Sequence, residues 1–476
     1  MSLLSQYLPG FPNTLVYMLQ SSEYQPRVYL AWYWRTTDFR KVAHRRQLDR
    51  TKAARVMLAI LQVGIMVQLL GSAVFLVLSL NGSLSYLIIG AVAFLSYPIV
   101  WAHLIIVPLV LGEWLVVRPR QRRQIAQAKG VFANVKATKI AVAGSYGKTS
   151  MKELLLTVLS EGKKVAATPA NKNVASSHAE FALSLSGDEE IVIIEYGEGQ
   201  PGDVIRFCEY TQPNVGIITG LAPAHLDQYK TLEAAGQDIF SLAEYLNHQN
   251  VYVNADSEAA RPFIKPTHQQ YSIESALGWQ VSDVSVDFTG TSFTIKKDGR
   301  SLRLTSGLLG KHQVGPLALA AALADKLGLN SEQIKAGVAK TAPFEHRMQP
   351  LIINGAQIIN DGYNGNIDGI RAGLQLIHDL PAKRKVYVTP GLVDQGAEAP
   401  NIHQQIGRLI AAANPDGVVL MRNSVEPYIQ QGLKEAGYKG KVSVENDPLA
   451  FYTNLDQFVA AGDLVMLQND WTDNYQ

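Results

Sequence analysis

Seven consecutive residues, Gly144-Ser145-Tyr146-Gly147-Lys148-Thr149-Ser150, carry the groups that a polyphosphate site needs. They follow the apolar run Lys139-Ile140-Ala141-Val142-Ala143 and lead into Met151-Lys152-Glu153-Leu154-Leu155-Leu156. A strand feeding a glycine turn and then a helix N-terminus aims several backbone N–H groups at one anion. In such a loop Lys148 reaches the outer phosphates and the Thr149 hydroxyl faces Mg²⁺. Gly144, Ser145, Gly147 and Ser150 complete the cradle. Val142 stands where GxxxxGK[ST] has its first glycine, so the loop is a shorter variant of the general pattern. The plainer alternative is a glycine turn before an ordinary helix.

Further chemistry-bearing residues follow in order. Ile193-Ile194-Glu195-Tyr196-Gly197 puts a carboxylate at a strand end, where it can ligate Mg²⁺. Thr168-Pro169-Ala170-Asn171-Lys172-Asn173 precedes it, and Thr219-Gly220 and Ala224-His225-Leu226-Asp227 come after it. Then come Asn254-Ala255-Asp256, Gly310-Lys311-His312, His346-Arg347 and Asp361-Gly362-Tyr363-Asn364-Gly365-Asn366. Each has a simple structural reading: His225 as a helix cap, Glu195 in a surface ion pair, Asn254 as a turn residue.

The elements that must hold these groups are legible in outline. The 476 residues suffice for two or three cores. A net charge of +2 offers no electrostatic argument for nucleic acid, and the single cysteine, Cys208, excludes an internal disulfide framework or a Cys-rich zinc site. Apolar runs predict strands over Lys139–Ala143, Ile191–Ile194, Val215–Thr219 and Val251–Val253, with helices over Ser150–Leu159, Leu232–Leu246 and Leu317–Leu327. That alternation predicts a mainly parallel α/β sheet covered on both faces. The alternation around Val284, Val286 and Phe288 predicts an inserted β-hairpin within Val281–Ser306. A second α/β unit is expected from about Thr341, with strands at Ala356–Ile359, Lys385–Val388, Gly417–Leu420 and Leu464–Leu467 and helices at Asp368–Asp379 and His403–Ala412.

Two apolar stretches, Val56 to Leu80 and Tyr86 to Val116, each exceed the roughly 20 residues that span a bilayer as a helix. Only Asn81-Gly82-Ser83-Leu84-Ser85 separates them. Arg40, Lys41, His44, Arg45, Arg46, Arg50, Lys52 and Arg55 precede the pair, and Arg118, Arg120, Arg122 and Arg123 follow it. Basic flanks stay on the cytoplasmic side, so a transmembrane helical hairpin with everything after it cytoplasmic is expected. The apolar and aromatic segments before the first flank fit either the membrane interface or packing against the hairpin.

The ordered motifs resemble those of the Mur ligase family, the ATP-dependent peptide ligases of bacterial cell-wall synthesis, over about residues 139 to 476. Asp361 to Asn366 is most similar to the branch that adds D-Ala-D-Ala. Hydropathy and charge together with the resemblance divide the chain into five expected segments: 1–54 cytoplasmic or interfacial, 55–116 the hairpin, 117–138 a basic linker, 139–340 a P-loop ATP-binding domain, and 341–476 a Rossmann-like α/β domain. The resemblance implies amide formation through an acyl phosphate, with ATP and Mg²⁺ as cofactors and Lys148, Glu195 and His225 as catalytic groups. Thr149, Glu195 and His225 would hold metal; Gly144 to Ser150, Asn254, His312, Arg347 and Asp361 would hold ATP. Asn171, Asn173, Tyr363, Asn364 and Asn366 would face substrate, and the Pro390–Gly396 loop is a further candidate for facing the amine, with Asp394 and His403 read as structural.

Two departures from the family pattern shape the expectation. Many members carry a carbamylated lysine in the helix after the Ala-His motif; Thr231 to Phe240 holds no lysine, Gly236 falls near the expected place, and Asp238 is a candidate substitute ligand. The hairpin stands in the position of the family's UDP-sugar-binding domain. The implied protein sits in the bacterial cytoplasmic membrane, and its partners are the bilayer, a lipid-linked cell-wall acceptor and an amino acid or dipeptide, with no nucleic acid. Two alternatives stay open: ordinary D-Ala-D-Ala addition to the UDP-linked tripeptide by an anchored enzyme, and an inactive nucleotide-binding scaffold.

Overall fold

The computed structural model describes residues 2–22, 24–39, 48–222, 226–362, 365–393 and 395–469. The chain divides into two compact units, Met1–Arg123 and Gln124–Gln476.

The first unit is helical: α1 (Phe11–Ser21), α2 (Pro26–Arg35), α3 (Lys52–Ser79), α4 (Leu84–Leu104) and α5 (Ile106–Gly112), then a π-helical turn at Glu113–Val117. The Thr51 hydroxyl caps α3 by accepting from the Ala54 N–H at 3.1 Å. Pro98 lies inside α4, whereas Pro108 lies in the first turn of α5, just after the break, where the N–H it lacks is least missed. The helical runs Lys52–Ser79 and Leu84–Asn134 are long and apolar enough to cross a membrane, by length and composition. Helices α3 and α4 approach closely because Gly64 lies against the Trp101 ring, which would overlap any added Cβ. Around that contact Trp101 Nε1 donates to Gln68 Oε1 at 2.8 Å, Gln68 Nε2 to the Ala93 carbonyl at 2.9 Å, and Ser72 Oγ to the Gly90 carbonyl at 2.7 Å. Val63, Val67, Leu70 and Val74 of α3, with Ile88, Val92 and Leu95 of α4, remain exposed. Phe11, Leu15, Leu19, Tyr29 and Tyr33 bury against Met57, Leu61, Ala102 and Ile105. The early aromatic segments therefore pack on the helix pair. Of the first basic flank, residues 40–47 lie outside the described residues.

The segment expected as a basic linker is mostly helix. It forms α6 (Arg118–Asn134), whose Ala128 and Phe132 are fully buried beside Ala141 and Ala143 in the core of the second unit.

The second unit contains two sheets. The first is built from β1 (Thr138–Ala143), β2 (Val165–Ala167), β3 (Ile191–Glu195), β4 (Val215–Ile218), β5 (Val251–Asn254), β6 (Gln269–Tyr271), β7 (Ser275–Ala276), β8 (Trp279–Asp287), β9 (Gly290–Lys297) and β10 (Arg300–Ser306). Its order is β10-β9-β8-β7-β6-β5-β4-β1-β3-β2, parallel from β2 through β6 and antiparallel beyond. The expected inserted hairpin is instead a three-stranded meander that prolongs the main sheet. Its third strand, Arg300–Ser306, alternates Leu302 and Leu304 inward with charged and polar residues outward, a pattern short enough to pass as loop. Helix α7 (Lys148–Leu159), Val314–Lys326 and Ser331–Ala339 cover one face; Ala175–Ser184, Asp203–Thr211, Leu232–Tyr245 and the end of α6 cover the other. β1 and β3 are apolar without alternation because both their faces are buried.

The second sheet comprises β11 (Gln349–Ile353), β12 (Ala356–Asp361), β13 (Arg384–Thr389), β14 (Gly417–Met421), β15 (Lys441–Glu445) and β16 (Asp463–Gln468) in the order β11-β12-β16-β13-β14-β15. Only the β11–β12 pairing is antiparallel. The edge strands β11 and β15 were not expected; each is half-exposed and polar in part, so it lacks the apolar run that marks a central strand.

Candidate functional site

The loop between β1 and α7 is shaped by two glycines. Gly147, at φ +73°, is the N-cap of α7, a left-handed conformation that glycine adopts without strain. A Cβ on Gly144 would lie 2.3 Å from Thr219 Oγ1, so the loop can press against the end of β4 only without a side chain. There Ser145 N donates to the Gly220 carbonyl at 2.9 Å, and the Thr219 hydroxyl is shared between the Ala143 carbonyl, at 3.2 Å, and the Tyr146 carbonyl. Asn254, at the end of β5, donates from Nδ2 to the Thr219 carbonyl at 2.9 Å. Asn254 thus braces the residue that braces the loop. Val142 is a fully buried strand residue in register with Glu195, which is why glycine is not required there.

Lys148 Nζ donates back to the Gly144 carbonyl at 2.6 Å and lies 2.7 Å from Glu198 Oε2. Thr149 Oγ1 donates to Glu195 Oε1 at 2.9 Å, and Asn173 Nδ2 reaches the same oxygen at 3.2 Å. Glu195 is only 1% exposed, which removes the surface ion-pair reading. Its Oε2 is buried without a hydrogen-bond donor, though Lys152 Nζ lies 3.5 Å away. Gly197 allows this approach, since its added Cβ would come within 2.9 Å of the Asn173 carbonyl oxygen.

Beneath Glu195 lies His178, whose Nε2 is 2.7 Å from the Glu195 carbonyl and whose Nδ1 is 2.6 Å from the Tyr210 hydroxyl. A carbonyl can only accept, so Nε2 carries the proton and Nδ1 accepts from Tyr210. Burial pushes the His178 pKa down to about 4, keeping the ring neutral.

The other expected residues are distributed as follows. Asp238 is engaged within the protein: Oδ1 accepts from Gly202 N at 2.8 Å and Oδ2 from the Tyr229 hydroxyl at 2.7 Å, while burial raises its pKa. Gly236 has no room for a lysine, because an added Cβ would meet the Phe263 ring at 2.4 Å. His312 lies in the exposed turn Lys311–Gln313. Asn171 is exposed. His225, Tyr363, Asn364 and Asp394 lie outside the described residues.

In the second sheet Asp361 ends β12 and accepts from Met348 N at 3.1 Å and Gln468 Nε2 at 2.8 Å. Desolvation raises its pKa, opposed by the Arg347 charge. Asn366 caps the helix Ile367–Asp379, its Oδ1 accepting from Gly369 N at 2.8 Å, so one of its oxygen's roles is structural. His403 is fully buried, with Nε2 accepting from Leu392 N at 2.9 Å and Nδ1 against the Ala399 carbonyl at 2.6 Å. The two sheets approach each other at the phosphate loop, where the Tyr146 hydroxyl lies in the field of the Asp368 carboxylate at the start of Ile367–Asp379, and burial pushes the Tyr146 pKa up to about 12. Lys311 and Asp379 form a second link at 2.9 Å.

Lys152, Glu198 and His178 join the site without having been singled out as functional. Only Lys152 left a signal, its i,i+4 spacing from Lys148, which is common on any helix.

A glycine loop at the C-terminal end of a parallel strand, a buried carboxylate facing its threonine, and a second, mostly parallel sheet define a P-loop α/β protein of two sheets. Residues 142–324 match the Mur ligase middle domain. The chain is 29% identical over 296 residues to the UDP-N-acetylmuramoyl-tripeptide–D-alanyl-D-alanine ligase of Mycobacterium tuberculosis, covering 60% of this chain and 58% of the relative. The enzyme of the same name from Escherichia coli is 28% identical over 305 residues, covering 61% and 66%. The chain thus spans 58% of the length of the mycobacterial relative. In fold it is similar to MurF ligase from Thermotoga maritima in complex with ADP, with TM-score 0.64 and 20% identity over 74% of this chain and 80% of that one. MurF from Acinetobacter baumannii gives TM-score 0.63 at 20% identity, over 74% and 77%.

Proposed function

We propose that this chain is an ATP-dependent, amide-forming ligase of peptidoglycan precursor synthesis. The observation that carries the reading is the convergence of Thr149, the neighbour of Lys148, and Asn173, from separate elements, on one oxygen of the buried Glu195. The names of the curated relatives and the ADP complex of the Thermotoga neighbour support it.

In this reaction an acceptor carboxylate oxygen attacks the γ-phosphorus of ATP, the bond to the β-phosphate breaks, and ADP leaves. An amine then attacks the acyl phosphate carbon, the C–O bond breaks, phosphate departs and the amine loses a proton. Positioning and neutralisation of charge supply most of the acceleration, so no protein nucleophile is needed. The backbone N–H groups of Gly144 to Ser150 cradle the phosphates, and Lys148 exchanges Glu198 for the outer phosphate oxygens. Asn171 and Asn173 border the acceptor; Asn254, His312, Arg347 and Asp361 border the nucleotide. Tyr363, Asn364 and Asn366 belong on the amine side of the same reading.

Mg²⁺ fits the donor set, because the Thr149 hydroxyl and the loop-facing oxygen of Glu195, Oε1, are hard oxygens held 2.9 Å apart. When bound, the ion neutralises phosphate charge. His225 is proposed as a further ligand.

The reading extends to place. Two apolar helical runs with exposed aliphatic faces support association with the bacterial cytoplasmic membrane, the ATP site on the cytoplasmic side and a lipid-linked acceptor. Product formation from ATP, D-Ala-D-Ala and either lipid-linked or UDP-linked precursor separates the acceptors. Turnover of the UDP-linked compound alone would overturn the lipid assignment, and absence of any amide product would overturn the ligase.

A further inference from the structure

Lys152 is the one lysine among the largest fully buried side chains of the described residues. Its ammonium donates to the Thr168 carbonyl at 2.8 Å and to the Ala170 carbonyl, and two carboxylate oxygens lie within ion-pair distance, Glu153 Oε1 at 3.1 Å and Glu195 Oε2 at 3.5 Å. Glu195 Oε2 lies in the field of this charge while accepting no hydrogen bond. The opposite oxygen, Oε1, carries both Thr149 and Asn173. The carboxylate is thus divided into a side facing the phosphate loop and a side facing a fixed internal cation. The same ammonium holds Ala170 in the left-handed region, at φ +48°, a conformation that costs alanine about 1 kcal/mol. That residue begins the turn leading to Asn171 and Asn173.

We propose that Lys152 is a positioning residue: a resident counter-cation that shares Glu195 with the catalytic divalent ion, limits the carboxylate to one outward-facing oxygen, and clamps the 168–170 segment to α7. The inference rests on the reading of Glu195 as a metal-facing group. Lys152 then weakens intrinsic metal affinity while fixing the geometry in which the metal is used. Loss of a merely structural lysine would loosen the site and weaken metal binding; loss of a counter-cation strengthens it.

The test is Mn²⁺ titration of the full-length protein, read from the electron paramagnetic resonance of free Mn²⁺, beside steady-state kinetics. In Lys152→Met the expected result is Mn²⁺ binding tighter by about tenfold, because a positive charge close to Glu195 has gone. With it, kcat falls about tenfold while KM for ATP stays within about twofold. Lys152→Met/Glu153→Gln, which removes one charge of each sign from the buried group, gives the same comparison with less strain on folding. Unchanged or weaker Mn²⁺ binding in either folded variant would overturn the proposal. Glu195→Gln tests the underlying reading separately: binding equal to the unaltered protein would mean that Glu195 does not face the metal, whatever Lys152 does.

Discussion

Lys148 Nζ lies 2.7 Å from Glu198 Oε2, with side-chain exposures of 11% and 5%. The lysine that would meet phosphate is therefore already paired with a carboxylate, in surroundings dry enough for the pairing to matter. A nucleotide must displace that carboxylate. In Glu198→Gln the competing charge is gone, and the dissociation constant for ADP, measured by calorimetry in EDTA, is expected to fall roughly fivefold or more. An unchanged or higher constant would show that Glu198 does not compete for Lys148.

His178 makes stability depend on pH. Its folded pKa is lowered from 6.5 to about 4, so the unfolded chain takes up a proton in a range where the folded one does not. The contribution is complete above pH 6.5, declines as pH falls toward about 4, and does not change further below that. Its size is of the order of 3 kcal/mol. Urea midpoints across this range should fall more steeply for the unaltered protein than for His178→Gln; parallel curves would contradict the assignment.

A lysine cannot be restored at position 236. Gly236 sits against Phe263 and Leu221, and Gly236→Lys must overpack that contact and bury an ammonium. Thermal unfolding should show a loss of about 2 to 3 kcal/mol, with no gain in ligase turnover. A variant that is both stable and more active would mean that the helix Leu232–Tyr245 shifts to admit the side chain.

The α3–α4 contact depends on Gly64. Gly64→Val would drive a side chain into Trp101 and separate Trp101 Nε1 from Gln68, while Gln68→Leu removes the same bonds with little steric change. In an apolar medium such interhelical bonds are worth about 0.6 to 2 kcal/mol each. Paired cysteines placed along α3 and α4 should crosslink less efficiently in Gly64→Val than in Gln68→Leu. The reverse order would show that hydrogen bonding rather than close approach holds the pair.

The parts that local chemistry specifies were readable in the chain. Gly144 and Gly147 announced the phosphate loop because a tight strand-to-helix turn tolerates no side chain there, and unbroken apolar runs announced β1, β3 and the long helices because both faces of each strand are buried. Edge strands such as Lys441–Glu445 left no such run, since one side of them meets water. The third strand of the meander was likewise hidden, because its alternation is short, and so was the helical course of 118–134, whose Ala128 and Phe132 are buried beside Ala141 and Ala143.

At the site, sequence supplied Lys148, Thr149, Asn173 and Glu195 as residue types in order, but not their partners. That Glu198 pairs with Lys148, that Lys152 is buried behind Glu195, and that Asp238 is occupied by Gly202 and Tyr229 depend on which strand ends lie side by side in the sheet order β5-β4-β1-β3-β2. Residue type and spacing determine what a short segment can bind. Burial and charge pairing arise between segments, so only the packed sheet decided which carboxylates are spoken for and which still face the loop.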